Sequence, residues 1–104
     1  SERLERGRSF VRLHAGDPIV VLSSPSDIPG HDKAPVDADL AQAIRAPYGF
    51  DDRHSGRRVT VVYTYQQLQG FVRRYRFQFQ KDGGLVQVHC VEVAQGVGDA
   101  RYLE

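Results

Sequence analysis

Residues 59–93 read VTVVYTYQQLQGFVRRYRFQFQKDGGLVQVHCVEV, and this stretch decides the fold. It contains three runs rich in Val, Tyr, Phe and Thr, which are residue types that favour β-strands. Short polar breaks with glycine separate the runs at residues 68–70 and 81–84. Three strands joined by short breaks are typical of an antiparallel meander. The sequence therefore predicts a three-strand meander in the last third of the chain.

Alternation of side chains along each strand predicts which residues face the core. In the first run, the predicted core set is Val59, Val61, Tyr63 and Tyr65. In the second run, the aromatic set is Phe71, Tyr75, Phe77 and Phe79, and the opposite set contains Arg74, Arg76 and Gln78. We expect the aromatic set to lie in the core and the arginines to form a basic solvent face. In the third run the apolar parity changes after Cys90, which predicts a bulge near that residue.

The chain before the meander supplies a helix and two loops. Residues 37–46 predict the helix, with Asp37 as its N-cap, Arg45 near its last carbonyls and Pro47 ending it. Residues 9–15 and 19–22 predict two short strands that form a hairpin. Residues 23–36, with three prolines, predict a long loop, and residues 47–58 predict a second loop.

This order predicts an α+β fold with one short helix packed on a mostly antiparallel sheet that ends in a three-strand meander. We expect residues 1–8 to be a flexible lead-in, residues 9–93 a single α+β domain, and residues 94–104 a flexible tail. The last two residues, Leu103 and Glu104, resemble residues left by cloning. The chain starts at Ser1 and contains no Met, so we expect a processed product or part of a longer protein whose leader is missing.

Composition narrows the function only slightly. The formal net charge of the 104 residues is +1, so any charged binding surface must be local. The single cysteine, Cys90, cannot form an internal disulfide, and within a strand it is expected to be a small buried residue. No apolar run is long enough to span a bilayer. Twelve of the fourteen basic residues are Arg, which is typical of a GC-rich coding sequence, and we expect a bacterial protein. Composition does not assign a compartment.

Basic and aromatic residues interleave in residues 73–79, RRYRFQF, a combination that sheet-surface RNA binders use. The stretch lacks the glycines of the ribonucleoprotein motif, and alternation puts its rings and most of its charges on opposite faces. The candidate binding residues that follow from the basic face are Arg57, Arg58, Arg74 and Arg76.

No stretch of the sequence matches a catalytic, metal or phosphate-binding motif. His31 and Asp32 in the long loop are candidate binding residues because long loops often carry recognition. They could meet residues 51–54, DDRH, but the spacing is not that of a metal site. His89 and Cys90 are neighbours on a strand and point to opposite faces, so His89 is not placed to deprotonate the thiol.

The sequence therefore favours a non-enzymatic binding or interaction domain whose partner is another protein. Nucleic-acid binding through the basic face is an alternative. A small ligand-binding or enzymatic domain is a second alternative, with a pocket between helix and sheet lined by Tyr63, Tyr65, Tyr75 and His89. Self-association through an edge strand is also open. We expect no cofactor and no membrane span.

Overall fold

The computed structural model describes residues 19–32 and 36–100. The predicted strand at residues 9–15 and the ends of the chain lie outside these ranges. The sheet is built from β1 (Ile19–Val21), β2 (Tyr48–Asp52), β3 (Arg57–Gln66), β4 (Phe71–Phe79) and β5 (Leu85–Ala94). A single 3-10 turn occupies Pro25–Asp27, and the helix α1 spans Ala38–Ala43. No helix in the described part of the chain approaches the length and apolar character that crossing a bilayer requires.

Strand β3 is the centre of the sheet. Its outer edge pairs with β1 and β2, and its inner edge pairs with β4, which in turn pairs with β5. Every pairing is antiparallel. The predicted α+β fold, with a helix, an antiparallel sheet and a C-terminal meander, is confirmed.

Strand β2 was not predicted, and the expected loop over residues 47–58 was wrong. Gly49, Asp51 and Asp52 are poor strand formers, which hid the strand from a reading of local propensity. A tight turn over residues 53–56 folds the segment back so that it pairs with β3 from Tyr48 to Asp52. Pairing with a strong neighbouring strand therefore decided its structure.

The first core cluster lies on the face of the sheet that α1 covers. Residues directly opposite in an antiparallel ladder share a face. The buried members of the cluster are Leu22, Ile28, Ile44, Val59, Val61, Tyr63, Tyr65 and Val72. From the helix side, Val36 and Leu40 pack against them. The predicted core set of β3 is confirmed.

The second cluster lies on the opposite face of the sheet. It contains the buried residues Val62, Tyr75, Phe77 and Phe79, with Ile19, Val21 and Val88 packed against them. Three members of the predicted aromatic set, Tyr75, Phe77 and Phe79, are therefore buried, but on a different face from the core set of β3. The fourth member, Phe71, is only half-buried. The prediction that Arg74 and Arg76 lie on a solvent face was wrong, because both residues lie on the face of the sheet that carries α1.

The helix is shorter than predicted. Asp37 caps it, accepting hydrogen bonds from the amides of Asp39 (3.1 Å) and Leu40 (3.4 Å). The helix ends at Ala43, because Ile44 is already extended, with φ −69° and ψ 125°. Pro47 disfavours helical geometry in the residue before it, so the chain leaves the helix ahead of the proline. Arg45 consequently lies over the ring of Tyr48 rather than near the helix carbonyls.

Strand β5 bends at two places, and neither is Cys90. The register with β4 shifts between Gln78 and Phe79, where Val86 is the extra residue of β5, and between Val72 and Arg73, where Val93 is the extra residue. Cys90 pairs regularly with Tyr75. It is also exposed, because β5 lies at the edge of the sheet in the described residues, so the expectation of a buried thiol was wrong.

The segment after β5 is hydrogen-bonded to the domain. The amides of Gly96 and Val97 donate to the carbonyls of Gln69 (3.0 Å) and Gly70 (3.1 Å), and the Asp99 amide donates to the Pro29 carbonyl (2.7 Å). The hydroxyl of the buried Tyr65 donates to the Val97 carbonyl at 2.6 Å. A flexible tail over residues 94–104 stays a prediction about motion, and these bonds argue that residues 96–99 are held in place.

The close approach of this segment can be tested at Gly98. Gly98 has a φ of +65°, and a Cβ there would lie 2.5 Å from the Pro29 carbonyl oxygen and 2.6 Å from Ile28 Cγ2. Gly56 has a similar φ of +70° but nothing within 4 Å of a Cβ. We expect Gly98→Ala to lower the free energy of unfolding by about 3 kcal/mol, against about 1 kcal/mol for Gly56→Ala, from urea unfolding. Equal losses would show that the segment does not pack on Pro29.

A second test concerns Tyr75. Burial raises the pKa of Tyr75 from 10.0 to about 12, and a hydrogen bond with the Cys90 thiol adds to the rise. A raised pKa means that the unfolded chain ionises first, so the stabilisation is complete below pH 10 and is lost as the pH rises toward 12.

We expect Tyr75→Phe to reduce the loss of unfolding free energy between pH 9 and pH 11, measured by urea unfolding at both values. Cys90→Ala should retain most of it, because burial is the larger cause. Identical pH dependence in Tyr75→Phe and the parent would contradict the assignment.

Candidate functional site

Six polar side chains of β3, β4 and β5 form a continuous surface on the face that carries α1. The register pairs Arg74 with Tyr63 and Val91, and Arg76 with Val61 and His89. We call this surface the basic strip, and its members are Arg57, Arg74, Arg76, Gln78, Gln87 and His89. Three of the four arginines predicted from the sequence are thus brought together.

The arginines of the strip are held by the sheet. Arg74 and Arg76 are two residues apart on β4, so their Cα atoms are separated by about 7 Å, the repeat of one strand face. Arg57 on β3 reaches across to β4, where its Nη1 donates to Oε1 of Gln78 at 3.0 Å. All three arginines are half-buried. The Nε of Arg76 is fully buried and has no hydrogen-bond partner.

The arginines of the strip lack direct ion pairs within the described residues. None of Arg57, Arg74 and Arg76 forms an ion pair with a carboxylate in that part of the chain. Arg58, the fourth predicted arginine, differs from the other three both in the face on which it lies and in having an ion pair. It lies on the opposite face and pairs with Asp51 at 3.2 Å, and both side chains are well exposed.

Asp52 lies opposite Arg57 on the face of the strip, and its charge interacts with that of Arg76, but its oxygens bind groups of the β2–β3 turn. Its oxygens accept hydrogen bonds from the Ser55 hydroxyl (2.9 Å) and the His54 amide (3.1 Å). The Ser55 bond first, and then the His54 bond, lower the pKa of Asp52, and the charge of Arg76 makes a small further contribution. Asp52 is therefore ionised at neutral pH and is occupied in capping the turn.

Two aromatic rings of β2 lie on the same face as the strip. Tyr48 and Phe50 pair with Val61 and Val59, and their rings stack with centroids 6.2 Å apart. The guanidinium of Arg45 lies 3.8 Å from the centre of the Tyr48 ring. Phe50 is 37% exposed. Sequence reasoning missed this juxtaposition because it depends on the pairing of β2, and alternation within β4 alone suggested that rings and charges are separated.

The loop residues His31 and Asp32 are not part of the strip. Both are exposed, and Nδ1 of His31 lies 3.1 Å from the Ile28 carbonyl oxygen. Residues 31–32 and 51–54 do not gather into a metal site: within the described ranges, no group of three or more His, Cys, Asp or Glu side chains is placed to hold a metal ion. His89 and Cys90 pair with Arg76 and Tyr75, so they lie on opposite faces as predicted.

The proposed tyrosine-lined pocket is not assembled. Tyr63 and Tyr65 are buried in the first cluster, whereas Tyr75 belongs to the second cluster on the other face. A cleft of about 420 Å³ between α1 and the end of β5 is lined by residues 36–37, 40 and 93–98. A second cleft, of about 460 Å³, lies at the β2–β3 turn, where Asp51 and Asp52 are already engaged by Arg58 and by the turn. Neither cleft contains the groups of the predicted pocket.

Comparison with known proteins adds no assignment. No protein-family model matches the chain. No curated protein and no solved structure matches it either. The basic strip and its neighbouring rings are therefore the strongest pointer to function that the fold provides.

Proposed function

We propose that this domain is a non-enzymatic binding module that uses the basic strip to bind an acidic region of another protein. The observation that carries the proposal is the convergence of Arg57, Arg74 and Arg76 on one face, with no direct ion pair to any of them in the described residues. Partial desolvation and mutual repulsion both disfavour three arginines that lie close together on one face. A partner's carboxylates would remove both penalties.

Preorganisation supports the proposal. Strand β4 is hydrogen-bonded on both edges, to β3 and to β5, so the positions of Arg74 and Arg76 are set before any partner arrives. The hydrogen bond from Arg57 to Gln78 orients a third guanidinium. Arginine is suited to this role because its planar group donates two parallel hydrogen bonds to one carboxylate. Less conformational entropy is lost on binding when the cations are already ordered.

Nucleic acid is the second candidate, and one observation favours it. Phe50 is an exposed ring on the same face as the strip, about 10 Å from Gln78 across β3. Aromatic rings beside arginines are used by single-strand binders, which stack bases on the rings and neutralise phosphates with the arginines. Among the described residues, Phe50 is the one exposed ring next to the strip, so the acidic protein partner is preferred.

The test is a charge reversal with a matched control. Arg74→Glu and Arg58→Glu change the net charge equally, but only Arg74 is on the strip. With fluorescein-labelled polyglutamate at low salt, we expect Arg74→Glu to weaken binding at least tenfold by fluorescence anisotropy. Arg58→Glu should stay within about twofold of the parent, and raising the salt should weaken binding of the parent. Circular dichroism of both variants checks that they fold.

Two outcomes would count against the acidic-partner proposal. Equal loss in Arg58→Glu and Arg74→Glu would mean that the probe senses only net charge. Tighter binding of an oligothymidylate than of polyglutamate, reduced by Phe50→Ala, would move the assignment to nucleic acid.

A further inference from the structure

The outer edge of β5 offers unpaired backbone groups beside the basic strip. Strand β5 has ten residues, and no strand in the described part of the chain pairs with its outer edge. Its side chains are mostly exposed, including Leu85 (40%) and Val86 (39%). A long open edge is a template for an additional strand.

The register identifies which groups point outward. The Leu22 amide donates to the Tyr63 carbonyl at 2.8 Å, so Tyr63 directs its backbone groups away from β4. Because the hydrogen-bonding direction alternates along an antiparallel strand, Arg74, Arg76 and Gln78 direct theirs to β5. Their partners Gln87, His89 and Val91 point back to β4. Val88 and Cys90, which lie between these partners, therefore present their amides and carbonyls to solvent.

The bulges at Val86 and Val93 bound the regular part of this edge. Between them, residues 87–92 pair with β4 without interruption. Six regular residues are about 20 Å of strand, enough to pair with a short extended segment.

The strip has the repeat of an extended chain. Alternate residues of a strand lie about 7 Å apart on one face, the same spacing as Arg74 and Arg76. A strand added to β5 would lie about 10 Å from β4, with His89 and Gln87 between them. Extended Glu and Arg side chains together span that distance. An added strand with acidic residues at every second position would therefore present its carboxylates to the strip.

We propose that the partner binds as an extended acidic segment of another protein, which pairs with β5 as a sixth strand and directs its carboxylates to the basic strip. This inference rests on the proposed function. Backbone pairing supplies affinity that does not depend on sequence, and the arginines select an acidic segment with the correct periodicity. The open edge and the lack of direct ion pairs to these arginines in the described residues then have a single explanation.

The experiment uses a labelled eight-residue peptide in which Glu alternates with Val. Two derivatives carry the same charge but are N-methylated, one on every Val and the other on every Glu. In antiparallel pairing the Val amides face β5, and in parallel pairing the Glu amides do. We expect one derivative to bind at least tenfold more weakly than the parent peptide and the other to bind normally, by fluorescence anisotropy.

A substitution in the protein, with the peptide unchanged, tests the same edge. Cys90→Pro removes an amide that points to solvent, so the ladder with β4 should be retained. We expect this variant to bind the peptide at least tenfold more weakly than the parent protein does. Cys90→Ala is the control for loss of the thiol, and it should bind normally. Circular dichroism of Cys90→Pro confirms the fold.

The failures of the two proposals are distinguishable. If both methylated peptides and Cys90→Pro bind normally while Arg74→Glu does not, strand addition is wrong and the acidic-partner function stands. If no peptide binds up to about 1 mM, or if Arg74→Glu does not weaken peptide binding, both proposals are wrong. A dimer in sedimentation velocity that Cys90→Pro dissociates would assign the edge to a second copy of the chain and overturn the inference.

Discussion

The domain depends on the pairing of β3 along both of its edges. Residues 57–61 and 64–66 pair with β2 and β1 on one side, and residues 58–66 pair with β4 on the other. Six consecutive residues of β3, 61–66, are buried, so backbone groups there have no access to water and must be satisfied within the sheet. Because both faces of β3 are buried, it also joins the two core clusters.

Burial on both faces explains the unusual position of the arginines. Each face of β4 continues a core cluster, so alternation cannot place one of its faces in solvent. Helix α1 has only six residues and packs against the first core cluster. Arg74 and Arg76 are half-buried on this face, and the Nε of Arg76 is fully buried. The proposed binding surface is thus a consequence of a short helix on a wide sheet.

The candidate site was only partly predictable. Arg57, Arg74 and Arg76 were identified from the basic runs, and the structure places them together. Arg58, one residue along from Arg57, is sent to the opposite face by the alternation of the same strand. The rings of Tyr48 and Phe50 could not be assigned to this face because their segment has weak strand propensity and its pairing is set by the turn and by β3. The exposure of Cys90 likewise follows from the place of β5 in the strand order.

The sequence by itself determined the three strands of the meander, the breaks between them, the helix with its Asp37 cap and the α+β class. These features depend on propensity, alternation and capping, which act between residues close in the chain. Only the tertiary structure decided that β2 is a strand, that rings and arginines share one face, and that the outer edge of β5 is open in the described residues. Those features depend on hydrogen bonds between segments distant in the chain, and a linear pattern does not specify which segments pair.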